Sequence, residues 1–221
     1  MEFLDLKTQQ NRIRKPLEKR INKILDHGAY IMGPEVFELE EKLADYCGVK
    51  HAISCSSGTD ALLIPLMAWD IGPGDAVFTT PFTYVATAEV ISILGATPIF
   101  VDVYESTYNI DCDKLEVEIK KVANEGKLKP KVIIPVDLFG LPARYRLIDK
   151  IAKKYNLKVI EDAAQSFGGT IRGNKVGNFG DVAATSFYPA KPLGCYGDGG
   201  AIFTNDDTLA EECKAIRIHG T

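Results

Sequence analysis

Two residues stand out as chemically complementary: Lys191, in the run Ser186-Phe187-Tyr188-Pro189-Ala190-Lys191-Pro192-Leu193-Gly194, and Asp162, in Glu161-Asp162-Ala163-Ala164-Gln165. A lysine amine forms a Schiff base with an aldehyde. A carboxylate facing a pyridine nitrogen keeps that nitrogen protonated, so the ring can take electrons from a neighbouring carbanion. Together they are what an enzyme using pyridoxal phosphate (PLP) requires. Lysine by itself says little, because most lysines are solvated surface charges. Here Pro189, Pro192 and Gly194 restrict the backbone around Lys191, which suits a residue held in one pose. Partial burial near a cationic ring would lower its proton affinity and leave more of the free base that a Schiff-base lysine needs.

Five groups each carry two readings. Ser56-Ser57-Gly58-Thr59 leaves a strand and opens a helix, so its backbone N–H groups and the helix dipole attract a phosphate, with Gly58 allowing close approach. Equally, Ser57 or Thr59 caps the helix and no ligand is needed. Tyr84, just past a strand end, offers a ring to stack on a cofactor or packs in the core. Asp162 follows the apolar Lys158-Val159-Ile160, where a buried carboxylate needs a cation or donors, and it serves either a protonated ring nitrogen or the cap of a helix near Ala163. Gln165 hydrogen-bonds the ring's phenolic oxygen or faces solvent, and Ser186 binds phosphate or is an ordinary strand-end polar residue.

The elements that must position these groups follow from periodicity. Apolar runs rich in Val, Ile and Thr recur at Ala52–Cys55, Ala76–Thr80, Pro98–Asp102, Val132–Val136, Val159–Glu161, Val182–Phe187 and Ala201–Thr204. Helices are expected between most of them, at about 59–69, 84–94, 112–124, 144–155 and 207–218. Thr8 to His27 has helical apolar spacing ahead of a Gly28 stop and reads as an arm that packs on a partner subunit. Strand-helix alternation of this kind implies an α/β fold, a mostly parallel sheet with helices on both faces, with ligands at the carboxyl ends of the strands. Ser56 to Thr59, Pro81 to Tyr84, Asp162 to Gln165 and Lys191 all fall at that edge.

Composition narrows the rest. With 221 residues, 46% hydrophobic and 25% charged, the chain can bury a full core. A net charge of −4 and a pI near 5.5 give nucleic acid no electrostatic reason to bind. Five cysteines, odd in number and without CxxC spacing, read as reduced thiols of a cytoplasmic protein rather than disulfides or a zinc site. No metal and no membrane association is expected, because residues 1–15 lack a continuous apolar core and no later stretch is long enough to span a bilayer. A nicotinamide enzyme is disfavoured, since the first strand leads into Ser-Ser-Gly-Thr and not into a GxGxxG turn.

The motifs SSGTDAL (Ser56 to Leu62), PFTYVATAE (Pro81 to Glu89), EDAAQSFG (Glu161 to Gly168) and SFYPAKPLGCYGDGGAIFTNDD (Ser186 to Asp207) closely resemble the DegT/StrS-type sugar aminotransferases. The resemblance runs from about Asp5 to Gly220. It implies the aspartate-aminotransferase-like fold (fold type I), PLP as cofactor and a homodimer. It makes Lys191 the Schiff-base lysine, Asp162 the partner of the pyridine nitrogen, Gln165 the contact to the ring oxygen and Tyr84 the stacking aromatic. Gly58, Thr59 and Ser186 become phosphate ligands, and residues 30–34 resemble a loop near the sugar. Relatives with His in place of this lysine are dehydratases, and Lys191 argues against that activity. The wording of KPLGCYGDGG and of FLDLKTQQ resembles enzymes that aminate UDP-2-acetamido-2-deoxy-3-oxo-glucuronate from L-glutamate for bacterial surface polysaccharides such as lipopolysaccharide O-antigen. Asp198 stands where many relatives have Glu, as in that subgroup. The resemblance also implies three parts: an N-terminal arm at 1–30, a PLP-binding large domain at 31–206, and 207–221 as a helix leading to a smaller C-terminal domain that is missing here. Without that domain the piece is expected to be inactive alone, and a non-catalytic binding or regulatory module, or an aminotransferase for a different nucleotide-linked keto sugar, stand as alternatives.

Overall fold

The computed structural model describes residues 4–220; Met1, Glu2, Phe3 and Thr221, which include the first residue of FLDLKTQQ, lie outside the described residues. Helix α1 (Leu6–His27) starts two residues before the expected Thr8 because the Asp5 side chain accepts the Thr8 N–H at 2.9 Å and so caps it. Helix α2 (Pro34–Cys47) was not among the expected helices, although Pro34 at its first turn and a left-handed Gly48 (φ 72°) behind it are start and stop signals. Arg20–Glu38 and Lys23–Glu35 ion pairs tie α1 to α2.

The remaining elements follow the expected alternation. They are β1 (His51–Cys55), α3 (Gly58–Ala68), β2 (Asp75–Thr79), α4 (Ala86–Ile93), β3 (Thr97–Phe100), α5 (Cys112–Glu125), β4 (Lys129–Ile134), α6 (Tyr145–Tyr155) and β5 (Lys158–Asp162), then a short hairpin of β6 (Thr170–Ile171) and β7 (Asn174–Lys175), β8 (Val182–Ser186), β9 (Gly200–Thr204) and α7 (Asp207–Arg217). Helix α6 shows why these segments are helical. Tyr145, Ile148, Ile151 and Ala152 recur on one buried face, lysines occupy the other, and Asn156 in the left-handed region (φ 54°) ends it. Helix α4 begins at Ala86 and not at Tyr84, because Pro81 to Tyr84 is spent leaving the strand.

Seven strands form one sheet in the order β1-β9-β8-β5-β4-β2-β3. β8, β5, β4, β2 and β3 pair in parallel, and only β9 runs against its neighbours β1 and β8. The reason lies in the connection. Residues 187–199, which carry Lys191, contain no helix to bring the chain back across the sheet, so β9 must return antiparallel from the same edge. Side chains alternate between two cores. Ile53, Val77, Ile134, Ile160 and Ile202 pack under α3, α4 and α7, while Phe78, Ile133 and Val159 pack against α5 and α6. A third cluster joins Leu43 and Cys47 of α2 to Ala183 and Phe203. Burying each such aliphatic or aromatic side chain favours folding by about 1.5–3 kcal/mol.

Candidate active site

The carboxyl edge of the sheet gathers the predicted residues. Asp162 ends β5 in phase with Ile160, so its side chain turns toward α4; there it is 5% exposed, with Oδ2 accepting from Thr87 Oγ1 at 2.8 Å and Oδ1 from the Ala164 N–H at 3.2 Å. No helix begins near Ala163, where residues 164–168 form turns, so the capping alternative is not met and the Ala164 N–H is a turn contact; Thr87 is a second donor that sequence reading missed. Thr87 is itself fully buried and paired with Thr83 at 2.9 Å. Burial pushes the Asp162 carboxyl up, opposed by the Thr87 and Ala164 donors and by the charge of Lys191.

Lys191 lies in the loop beyond β8, half-buried, its Nζ donating to Gln165 Oε1 at 3.2 Å. Burial lowers its proton affinity, and the Asp162 charge works against that shift. The loop is pinned by Lys191 N–H to Tyr188 O and Cys195 N–H to Phe187 O, both 2.8 Å. A Cβ at Gly194 would stand 2.4 Å from Pro189 O, so the turn that presents Lys191 admits glycine alone. Gln165 is exposed and reaches the same place from the segment after β5.

Across the edge, the α3 N-terminus meets the end of β8. Ser57 caps α3 by accepting the Asp60 N–H at 3.1 Å, which is the capping alternative, and the first N–H groups of the helix at Gly58 and Thr59 have no intrahelical acceptor. A Cβ at Gly58 would lie 2.5 Å from Ser186 Cβ, so these two candidates are in direct contact. Ser186 is 8% exposed, and its Oγ accepts the Tyr188 N–H at 3.2 Å. Tyr84 is 73% exposed and does not pack in the core. An aromatic cluster beside it was not foreseen: Phe82 and Tyr108 have ring centroids 5.1 Å apart, and Phe139 sits edge-on to Tyr108 at 5.8 Å. Tyr108 and Phe139 both hold left-handed backbones (φ 59° and 57°), which no one-residue pattern announces.

These groups fit PLP on their chemistry. A half-buried amine is available for an aldehyde, a buried carboxylate with spare lone pairs for a ring nitrogen, an amide for a phenolic oxygen, and a helix N-terminus closed by Gly58 and Ser186 for a phosphate. Among the described residues no cluster of His, Cys, Asp and Glu is arranged to hold a metal ion, and no helix is long and apolar enough to cross a membrane.

A mostly parallel sheet with one reversed strand, a carboxylate ending its central strand and a lysine on the loop before the reversal define an α/β domain of the fold type I PLP class. The chain belongs to the DegT/DnrJ/EryC1/StrS aminotransferase family, whose pattern matches residues 11–221. It is 54% identical over 220 residues to the UDP-2-acetamido-2-deoxy-3-oxo-D-glucuronate aminotransferase of Pseudomonas aeruginosa, covering 100% of this chain and 59% of that protein. Among solved structures, a DegT DnrJ EryC1 StrS aminotransferase from Brucella abortus superposes with a TM-score of 0.96 at 55% identity, covering 98% of this chain and 58% of that one. NtdA from Bacillus subtilis, solved with bound cofactor PMP, matches with a TM-score of 0.84 at 35% identity over 93% of this chain and 45% of that one. The chain therefore spans a little over half the length of the first two.

Proposed function

We propose that this chain is the cofactor-binding part of a PLP-dependent aminotransferase that places an amino group on the 3-oxo carbon of a nucleotide-linked sugar. The observation that carries the reading is the convergence of Lys191, Gln165 and Asp162, drawn from two loops and a strand end, at one edge of the sheet. Lys191 would hold the cofactor's aldehyde carbon, Asp162 its ring nitrogen, Gln165 its phenolic oxygen, and Gly58, Thr59 and Ser186 its phosphate, with Tyr84 against the ring face. Bound PLP supplies an electron sink for the carbanion formed when a proton leaves the amine-bearing carbon.

Lys191 Nζ, whose lowered proton affinity leaves it free base more often than a surface lysine, takes that proton as general base and returns it as general acid. Asp162, held by Thr87 and Ala164, keeps a negative charge facing the ring and so stabilises the positive nitrogen on which the sink depends. The identity to the Pseudomonas aeruginosa enzyme supports UDP-2-acetamido-2-deoxy-3-oxo-glucuronate as acceptor. The motif resemblance supports L-glutamate as donor, a place in surface polysaccharide (O-antigen) synthesis and a homodimer. The five unpaired cysteines suit a cytoplasmic setting. We divide the chain at 1–30, 31–206 and 207–221, the middle part holding the cofactor.

The test is borohydride reduction of the protein mixed with PLP, followed by peptide mapping. A pyridoxyl group on Lys191 supports the assignment, and one on any other lysine overturns it. A panel of UDP- and dTDP-linked keto sugars, offered to the full-length enzyme with glutamate, then reads the acceptor. Turnover confined to substrates without the uronate would refute the choice of sugar acid.

A further inference from the structure

Glu161 precedes the ring-facing carboxylate by one residue, so it points to the opposite face of β5, in phase with Val159 and toward α6. It is fully buried. Its two oxygens accept the Gly177 N–H at 3.2 and 3.1 Å, and Oε2 also accepts the Phe179 N–H at 3.0 Å. Beside it, and hydrogen-bonded to it, is a second fully buried acid, Asp137, three residues past the end of β4. Asp137 Oδ1 accepts from the Ala143 N–H and the Tyr145 hydroxyl, each at 2.8 Å, and Oδ2 from Ser166 Oγ at 3.1 Å.

Two carboxylates in contact without a cation cannot both be ionised, because each would meet full desolvation and the other's charge. Among the described residues no lysine, arginine or histidine pairs with either. The titratable groups facing them are Tyr145 from α6, Asp162 from β5 and Cys47 from α2, and a cation on this side, Lys175 of β7, acts on Cys47. Burial pushes both acids up. Asp137 accepts from three donors, the Ala143 N–H and the Tyr145 and Ser166 hydroxyls, against two N–H groups at Glu161, so Asp137 keeps the charge and Glu161 holds the proton. The pair is wired to the site through the backbone. The Asp137 N–H donates to Asp162 O at 3.1 Å, and the Asp162 N–H to Pro135 O at 3.0 Å.

We propose that Glu161 and Asp137 are a positioning pair for Asp162: an acid and a carboxylate sharing one proton on the back of β5 set the strand end from which Asp162 faces the ring. The inference rests on the assignment of Asp162 to the cofactor, but its first readouts do not use the cofactor. In cofactor-free protein at pH 7, infrared spectroscopy should show the carbonyl band of a buried protonated carboxyl, absent in Glu161→Gln. In Asp137→Asn, where no neighbouring charge holds the proton in place, that band should titrate away at lower pH than in the wild type. A second readout follows Asp162 itself, through the pH midpoint for modification of the Lys191 amine, which the Asp162 charge raises.

Glu161→Gln keeps a neutral hydrogen-bonding group and should leave that midpoint and the PLP dissociation constant within about twofold of wild type. Glu161→Leu should shift the midpoint to lower pH and weaken PLP tenfold or more, a loss that the Gln variant rescues. No protonated-carboxyl band at pH 7, an unchanged titration in Asp137→Asn, or a Leu variant identical to wild type would each overturn the proposal. Should Glu161→Leu fail to fold, the band and its titration still decide it. If wild type binds no PLP at Lys191 while the band behaves as stated, the function assignment fails and the shared proton stands.

Discussion

Thr87 is the residue on which Asp162 depends most directly, and its hydroxyl is one of two donors to a carboxylate buried in an apolar strand end. Replacing it with valine keeps the volume and removes the donor. An acceptor left short of a partner in such a place costs about 1–3 kcal/mol, and the Asp162 carboxyl should rise further. Thr87→Val should therefore lower the urea midpoint and weaken PLP binding, whereas an unchanged affinity would show that Ala164 suffices. Lys191 makes its own pH statement. Its proton affinity is lowered by burial, so in cofactor-free protein an amine reagent should label it at lower pH than the surface lysines. Asp162→Asn, which removes the opposing charge, should move that midpoint down again. Labelling in step with the surface lysines in both proteins would contradict the burial argument.

At the level of elements, the decisive junction is the α3 N-terminus against the end of β8. Gly58 is needed because Ser186 occupies the space of its Cβ, so Gly58→Ala must push the helix start away from the strand. Overpacking of this kind costs about 1–3 kcal/mol. It also spoils the alignment of the N–H groups at Gly58 and Thr59, and PLP affinity should fall at least tenfold. Affinity for pyridoxal, which lacks the phosphate, should change much less. Equal losses for the two compounds would mean that this helix start does not meet the phosphate. The loop that carries Lys191 shows the same economy, since the absence of a helix between β8 and β9 both reverses β9 and leaves the lysine at the site edge.

Across the whole molecule, Arg217 near the end of α7 closes the fold on its N-terminal part. Its guanidinium meets Glu40 of α2 and the Ser54 carbonyl of β1 at 3.1 Å, and Glu40 accepts the Ser54 N–H at 2.8 Å. Both charged side chains are about one-eighth exposed, at 13% and 12%. Removing one partner of a buried pair costs about 3–5 kcal/mol, and the residual exposure puts Arg217→Ala near the bottom of that range. The double variant Arg217→Met with Glu40→Met should recover part of the loss, because no uncompensated charge stays behind. Chemical denaturation of the wild type and these two variants measures the effect, and a Met–Met variant less stable than Arg217→Ala would disprove it.

How much of this was legible without coordinates follows from the range of each signal. Strand and helix positions rest on periodicities of two and 3.6 within a dozen residues, and the structure reproduces all seven strands of the sheet and the helices between them to within a few residues. Helix α2 escaped because few of its residues are buried, with Leu43, Ala44 and Cys47 the ones that are. The residue types for the chemistry, Lys191 and Asp162 above all, were equally local. What needed the tertiary structure is every contact between distant residues: Thr87 under Asp162 from 75 positions away, Gly58 against Ser186, Asp137 beside Glu161, Arg217 on Glu40. Neither partner in such a pair has a neighbour in sequence that announces the other. Only the order in which the strands lie side by side brings them within reach, and that order is set by burial over the whole sheet rather than by any local pattern.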